Sequence, residues 1–173
     1  MPSKDLTVTA KSIGGNTSYI DVYWSYDFHG TLSIHGYGSM PNYSTDDQPW
    51  AAYKDEITAL SIESGVTSIG KYTFFDCAHL KAVVIPDTVK TIGEYAFACC
   101  DSIREITFGA KLTSIGKAAF VSSYDLERVT FRGSLVWTAR INNYYTDVTF
   151  SGNDPYKNAT YFEQYYEGSF TAK

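Results

Sequence analysis

Between residues 57 and 126 the apolar positions return with a step of 23. Leu60, Val83, Ile106 and Val129 form one column, and Val66, Val89 and Leu112 a second. Ile69, Ile92 and Ile115 form a third, Phe74, Phe97 and Phe120 a fourth, and Leu80, Ile103 and Leu126 a fifth. Three units thus align without gaps, 57–80, 81–103 and 104–126. So many columns in one register mark an internal repeat. Within a unit the pattern predicts one short strand, such as Val83-Val84-Ile85, with Val83 and Ile85 inward and Ala82 and Val84 outward. A turn at Pro86-Asp87-Thr88 follows, then an inward Val89, then a return segment carrying Ile92, Phe97 and Ile103. Gly70, Gly93 and Gly116 recur where a large side chain would not fit or where φ must be positive. No single unit can bury its apolar face, so neighbours must stack. A step of 23 suits one coil of a solenoid.

A fourth unit, 127–150, starts in register with Val129, Phe131 and Leu135 and then loses it. Thr138-Ala139 stand in place of Ile-Gly, and Asn143 in place of Phe. Terminal repeats are expected to be atypical in this way. The polar, Tyr-rich residues 151–173 are expected to cover the last open edge of the sheet, because an uncovered edge invites aggregation. Upstream, Leu6, Val8 and Ala10, then Ile20, Val22 and Trp24, then Leu32 and Ile34 alternate as strands do. Turn residues at 14–16 and 27–30 separate them. Residues 1–45 therefore read as a β-rich flank, and 46–56 as a short capping helix. Asp46 or Asp47 is the candidate N-cap, and Pro49 suits the first turn. Trp50 is expected on the exposed first face of the stack, as a cap.

Composition narrows the function. The chain has 173 residues, 44% hydrophobic and 19% charged, which is the size and make-up of one globular domain. A net charge of −5 leaves no basic excess to displace counterions from nucleic acid. The apolar runs are far shorter than the about 20 residues of a membrane-spanning helix. Fifteen tyrosines are the unusual count, and tyrosine is an amphipathic contact residue. Cys77, Cys99 and Cys100 match no zinc spacing. Cys77 and Cys100 share a column, so a disulfide between stacked units is conceivable, and two buried thiols are the simpler expectation. His79 stands where the sister units have Ser102 and Asp125, a surface position, and His35 is expected at a strand edge. Asp46-Asp47 lacks further acidic ligands at calcium-loop spacing. No nucleophile elbow, His-Glu-x-x-His or phosphate loop is present. The chain is therefore read as non-enzymatic, with no catalytic residue, metal ligand or cofactor. Sequons at Asn16, Asn42 and Asn158 carry weight only in a eukaryotic secretory pathway.

The units carry a resemblance as well as a period. Ile85-Pro86, Val89, Ile92-Gly93, Ala96-Phe97, Cys100 and Ile103 are similar, position by position, to the unit of the BspA-type leucine-rich repeat family. The lead-in at 30–41, followed by Gln48-Pro49-Trp50, resembles what precedes such repeats, so the similarity covers about 22–132. The third unit departs from the pattern with Phe108-Gly109 for Ile-Pro and Ser123 for Cys. The resemblance implies a mainly β fold with short helical turns. The core of that fold would be a leucine-rich repeat solenoid between the N-terminal flank and an atypical C-terminal capping segment. It also implies a bacterial surface-associated or secreted, adhesin-like role with a protein partner from a host or extracellular matrix. An extracellular or cell-surface location follows, with the leader outside this sequence. The opening Met-Pro-Ser-Lys-Asp has no signal-peptide pattern and is equally compatible with the cytoplasm.

Repeat proteins of this kind bind through the sheet face and its adjoining loops. The register gives three outward columns. One holds Ser61, Val84, Thr107, Thr130 and Thr149; the next Ala59, Ala82, Glu105, Arg128 and Asp147; the last Glu63, Pro86, Gly109, Arg132 and Ser151. The second half of this face gathers charge. The candidate binding residues are therefore Glu105, Arg128, Thr130 and Arg132, with Tyr144, Tyr145 and Tyr156 adjacent, since Arg and Tyr are enriched at interface hot spots. Arg128 can equally do no more than pair with Glu105 across adjacent strands. A second reading is a carbohydrate-binding module that uses Tyr19, Tyr23, Tyr26 and Tyr37 of the flank.

Overall fold

The computed structural model describes residues 8–10, 22–141, 144–165 and 168–173. The flank supplies β1 (Val8–Ala10), β2 (Val22–Tyr26), β3 (Thr31–Gly36) and β4 (Gly38–Ser39), followed by a 3-10 helix over Ala51–Glu56. The repeats supply β5 (Ala59–Ile62), β6 (Val66–Ile69), β7 (Ala82–Val84), β8 (Thr91–Ile92), β9 (Glu105–Phe108), β10 (Ser114–Ile115) and β11 (Arg128–Phe131). The C-terminal part supplies β12 (Val136–Ile141), β13 (Tyr144–Thr149), α1 (Pro155–Tyr165) and β14 (Ser169–Ala172).

Each repeat contributes to two parallel ladders. In the first, β7, β9 and β11 pair in register, so Ala82 faces Glu105, which faces Arg128, while Val84 faces Thr107, which faces Thr130. The bond from Lys81 N–H to Thr58 O repeats, one unit earlier, the bond from Arg104 N–H to Lys81 O. In the second ladder β4, β6, β8 and β10 run side by side, and Ile69, Ile92 and Ile115 line up. Bonds between return segments form a third link: Phe74 N–H donates to Ala96 O, and Phe97 N–H to Ala119 O, both at 2.7 Å. The step of 23 in the sequence is therefore one strand spacing in space.

The core follows from that stacking. Trp50, Phe74, Phe97 and Phe120 form a ladder of stacked rings with centroids 5.6, 5.0 and 4.9 Å apart. Val83, Ile85, Val89, Leu80 and Ile103 are fully buried around it. Close approach of the units explains the recurrent glycine. A Cβ at Gly93 would lie 2.6 Å from both Gly70 C and Lys71 N, so space and not positive φ demands the residue. Positive φ falls elsewhere, on Tyr72, Tyr95 and Ala118 and again on Asp76, Cys99 and Ser122, each set also with a step of 23. Such strain persists only where the surroundings over-determine it. Here Tyr72 N–H is bonded to Glu94 O and Tyr95 N–H to Lys117 O.

The flank forms a hairpin, as its alternation predicts. β2 and β3 pair antiparallel from Val22 with Gly36 to Tyr26 with Leu32. Asp27 Oδ1 closes the turn by accepting His29 N–H and Thr31 N–H at 2.8 and 2.9 Å. β3 then pairs in parallel with β5 and joins the flank to the first repeat. Neither Asp46 nor Asp47 caps the helix: its N-cap is Trp50, and Asp47 Oδ1 instead accepts Ser44 N–H. Trp50 does begin the ring ladder, but it is buried and not exposed. Trp24 and Tyr43 meet it edge-on at 5.9 and 5.8 Å, and its Nε1–H donates to Thr73 O.

Beyond Phe131 the chain leaves the repeat register. β12 and β13 pair antiparallel with each other, and β14 runs back between β12 and β10. The resulting sheet has the order β13-β12-β14-β10-β8-β6-β4. From α1, Phe162 reaches Phe108 and Phe120 at 5.7 and 5.8 Å and stacks on Phe170 at 5.1 Å. Asn158 is buried, and its Nδ2 donates to Val129 O and Ser151 O, so this sequon is committed to the fold. The sequon at Asn16 and the turn at 14–16 lie outside the described residues. All three cysteines are free thiols, so Cys77 and Cys100 form no disulfide. Cys100 Sγ–H donates instead to Phe74 O at 3.2 Å.

Candidate functional site

The outward face of β7, β9 and β11 is built by the parallel register. Inward Val83, Ile106 and Val129 are buried, which turns Ala82, Val84, Glu105, Thr107, Arg128 and Thr130 to the other side. On β7, at the edge of this sheet, Val84 is 51% exposed and Ala82 is exposed as well. Arg128 Nη1 donates to Glu105 Oε1 at 2.9 Å. The Arg128 guanidinium carbon also sits 5.7 Å from the centroid of the Tyr156 ring. Arg128 Nε is shielded from solvent without an acceptor. Further along, Arg132 Nη1 lies 3.7 Å from Asp87 Oδ1, and Arg104 Nη1 lies 3.5 Å from Glu127 Oε1.

Four of the sequence candidates, Glu105, Arg128, Thr130 and Arg132, thus share one region, with Tyr156 beside them. Tyr144 and Tyr145 do not. They lie on β13, at the far edge of the seven-stranded sheet, where Tyr145 meets Arg140 at 5.3 Å. Asp147 and Thr149 leave the outward columns with them, because β13 pairs antiparallel with β12 instead of continuing beside β11. The Asp87 contact was not singled out in the sequence, although the step of 23 from Asp87 to Ala110 places it on the rim beside Gly109 and Arg132.

The flank holds a second polar constellation that the sequence did not suggest. His35 is not at an edge, since β3 lies between β2 and β5. Its Nε2 is 2.9 Å from Ser25 Oγ, its Nδ1 is 2.9 Å from Glu63 Oε1, and Glu63 Oε2 accepts Gly36 N–H at 3.0 Å. The His35 hydrogen bond, with that of Gly36 N–H, holds the Glu63 carboxyl below its ordinary value. The chain Ser25–His35–Glu63 runs from β2 through β3 to the residue after β5 and fastens the flank to the first repeat. Among the described residues the flank tyrosines make no open row. Tyr26 is buried, with its hydroxyl donating to Glu56 Oε2, Tyr23 stacks on His35, Tyr37 is exposed, and Tyr19 lies outside the described residues. Among the described residues no group of three or more His, Cys, Asp or Glu side chains could hold a metal ion. Among them, too, no helix is long and apolar enough to cross a membrane.

Repeats of 23 residues that each give a strand to a parallel ladder, over stacked apolar columns, define a leucine-rich repeat protein. The chain belongs to the family described as BspA type leucine rich repeat region (6 copies), whose model matches residues 51–160. It is similar in fold to a leucine-rich repeat protein from Eubacterium ventriosum ATCC 27560, with 20% identity, a TM-score of 0.55, and coverage of 82% of this chain and 48% of that one. The chain thus spans about half the length of that neighbour. A leucine rich cell surface protein from Faecalibacterium prausnitzii A2-165 also matches, with 16% identity, a TM-score of 0.32, and coverage of 76% of this chain and 61% of that one. No curated protein matches the chain.

Proposed function

We propose that this chain is a short, non-enzymatic solenoid module that binds a protein partner at a bacterial cell surface or outside the cell. Its repeats form the coils, and residues 151–173 close the last one. The binding surface is the outward face of β7, β9 and β11, with Glu105, Arg128, Thr130 and Arg132 at its charged half and Tyr156 at its margin. The observation that carries this reading is Arg128. Its guanidinium bonds Glu105 and lies against the Tyr156 ring, with exposed Val84 on the same face. A pre-positioned arginine against an aromatic ring is the composition of an interface hot spot. An adhesive role follows from family membership together with this face.

The test is capture from a host extracellular-matrix extract by the wild type and by an Arg128→Glu/Arg132→Glu variant shown to be folded by circular dichroism. A partner held by the wild type and lost by the variant is the expected result. Equal capture by both forms overturns the assigned face. The non-enzymatic part has its own test, because Ser25–His35–Glu63 has the order of a nucleophile, base and orienting acid. A fluorophosphonate probe is expected to leave Ser25 unlabelled, and labelling that depends on His35 would overturn that part of the reading.

A further inference from the structure

The seven-stranded sheet ends on β13, and that edge is open. β13 is six residues long, the longest edge strand among the described elements. Tyr144 and Tyr145 are 81% and 67% exposed, and Thr146, Asp147 and Thr149 are exposed beside them. The antiparallel ladder decides where the backbone groups point. Phe150 N–H donates to Leu135 O, so Val148, Thr146 and Tyr144 also turn their N–H and C=O toward β12. Tyr145, Asp147 and Thr149 therefore turn theirs away from the sheet.

Proteins blunt such an edge with proline, lysine, a bulge, a free charge or a cover. β13 holds no proline and no lysine, and its pairing with β12 runs through six residues without a shift of register. Its one charge, Asp147, is already neutralised: Lys173 Nζ donates to Oδ2, and Thr138 Oγ1 donates to Oδ1 at 3.2 Å. β11, the edge of its own sheet, is treated differently. There α1 packs alongside, and Asn158 Nδ2 donates to Val129 O.

We propose that β13 is a self-association edge, occupied by β13 of a second copy running antiparallel across a two-fold axis. Only the outward residues can exchange backbone bonds, and two registers keep most of the strand paired. An axis on Asp147 would set two carboxylates face to face, an unfavourable cross-strand pair. An axis on Thr146 avoids this. Tyr145 then exchanges backbone hydrogen bonds with Asp147 of the second copy. Tyr144 lies opposite Val148 of the second copy, where the apolar face of the sheet ends. A head-to-tail sheet has no matching end, because the opposite edge, β4, has two residues and a break in register. Two-fold pairing uses both β13 edges and closes. Two tyrosines and one strand edge from each copy bury on the order of 1,000 Å², the lower limit of specific interfaces. The dimer is therefore weak, with a Kd between about 10 μM and about 1 mM. It does not involve the face of β7, β9 and β11.

Sedimentation velocity from micromolar to millimolar concentration should show the monomer giving way to a dimer and to no larger species. Tyr145→Pro removes an outward N–H that β12 does not use and should weaken the dimer at least tenfold, with the circular dichroism unchanged. Thr146→Lys sets two cations together on the axis and should do the same, which serves if the proline variant does not fold. Thr146→Cys, in a chain with Cys99→Ser, should form a disulfide-linked dimer on mild oxidation, because residues of a non-hydrogen-bonded pair have Cα atoms about 4.5 Å apart. Thr149→Cys in the same chain should not, since it lies past the paired residues. The Arg128→Glu/Arg132→Glu variant should dimerise like the wild type. A monomer at every concentration overturns the proposal and leaves the edge to a strand of another protein. A dimer that ignores Tyr145→Pro and Thr146→Lys overturns it as well. A dimer in which Thr146→Cys cross-links no better than Thr149→Cys overturns the register.

Discussion

Phe97 lies at the centre of the ring ladder, and Phe97→Ala tests whether that ladder holds the repeats together. The side chain is fully buried, with Phe74 at 5.0 Å on one side and Phe120 at 4.9 Å on the other. Truncation returns on the order of 100 Å² of apolar surface to water, about 2.5–3 kcal/mol at 25–30 cal/mol/Å². Two stacked ring contacts are lost as well, each about 0.5–1.5 kcal/mol beyond area. Partial collapse of the neighbours returns some of this, which leaves about 4 kcal/mol, inside the usual range for a buried phenylalanine. Total stability of a domain is about 5–15 kcal/mol, so the variant should be near its folding threshold. Urea unfolding followed by circular dichroism measures the shift. Phe75→Ala is the control: Phe75 is half-buried, and its column already holds Ala98 and Val121 in the sister units. That change should cost less than about 1.5 kcal/mol, as surface-side substitutions do. A loss under about 1.5 kcal/mol for Phe97→Ala, or equal losses for both variants, would refute the ladder as the main source of cohesion.

Three further predictions use the same unfolding assay or its native-state counterpart. Gly93→Ala should cost about 1–3 kcal/mol by overpacking, since its Cβ would meet backbone atoms of Gly70 and Lys71 at 2.6 Å; a neutral result would show that the repeat units can spread. Glu63 is held below its ordinary 4.5 by the His35 hydrogen bond and by Gly36 N–H, so its contribution is present above that value and lost as pH falls through the lower folded one. The urea midpoint should therefore fall more steeply on acidification from about pH 5 to about pH 3 in the wild type than in Glu63→Gln, and parallel curves would contradict the assignment. Burial pushes the Cys77 thiol up to about 12 and the Cys100 thiol well above its ordinary 9.0. A thiol reagent at pH 8 should leave both unmodified in the native protein and reach all three cysteines in urea, so rapid native modification of Cys100 would count against the packing.

The repeat was legible in the sequence because every unit makes the same contacts with its neighbour. One period therefore names the strand, the inward columns and the pairing at once. Knowing the step of 23 is enough to place Ala82, Glu105 and Arg128 side by side and to expect the Glu105–Arg128 ion pair. The need for glycine at Gly93 was also legible as an alternative, but only the distance to the preceding unit decides that crowding, and not positive φ, is the cause. The positive φ values at Tyr72, Tyr95 and Ala118 left no mark on residue type, because backbone bonds hold them, to the next unit for Tyr72 and Tyr95 and to Gly168 for Ala118.

Where the period fails, local pattern carries no partner information. Tyr144 and Tyr145 follow the charged face in the chain, yet an antiparallel return places them at the other edge of a different sheet. Ser25 and His35 come from two strands and Glu63 from the end of a third, joined by one antiparallel and one parallel pairing, so no motif announces them. Ser114 meets Thr171 only because β14 returns from the far end of the chain to pair with β10. The sequence by itself determined the repeat, its period and its inward residues, because those depend on neighbours one step away. Tertiary structure alone decided how the flank and the C-terminal strands pair with the repeats and which distant side chains meet there, because those contacts depend on chain reversals that no period encodes.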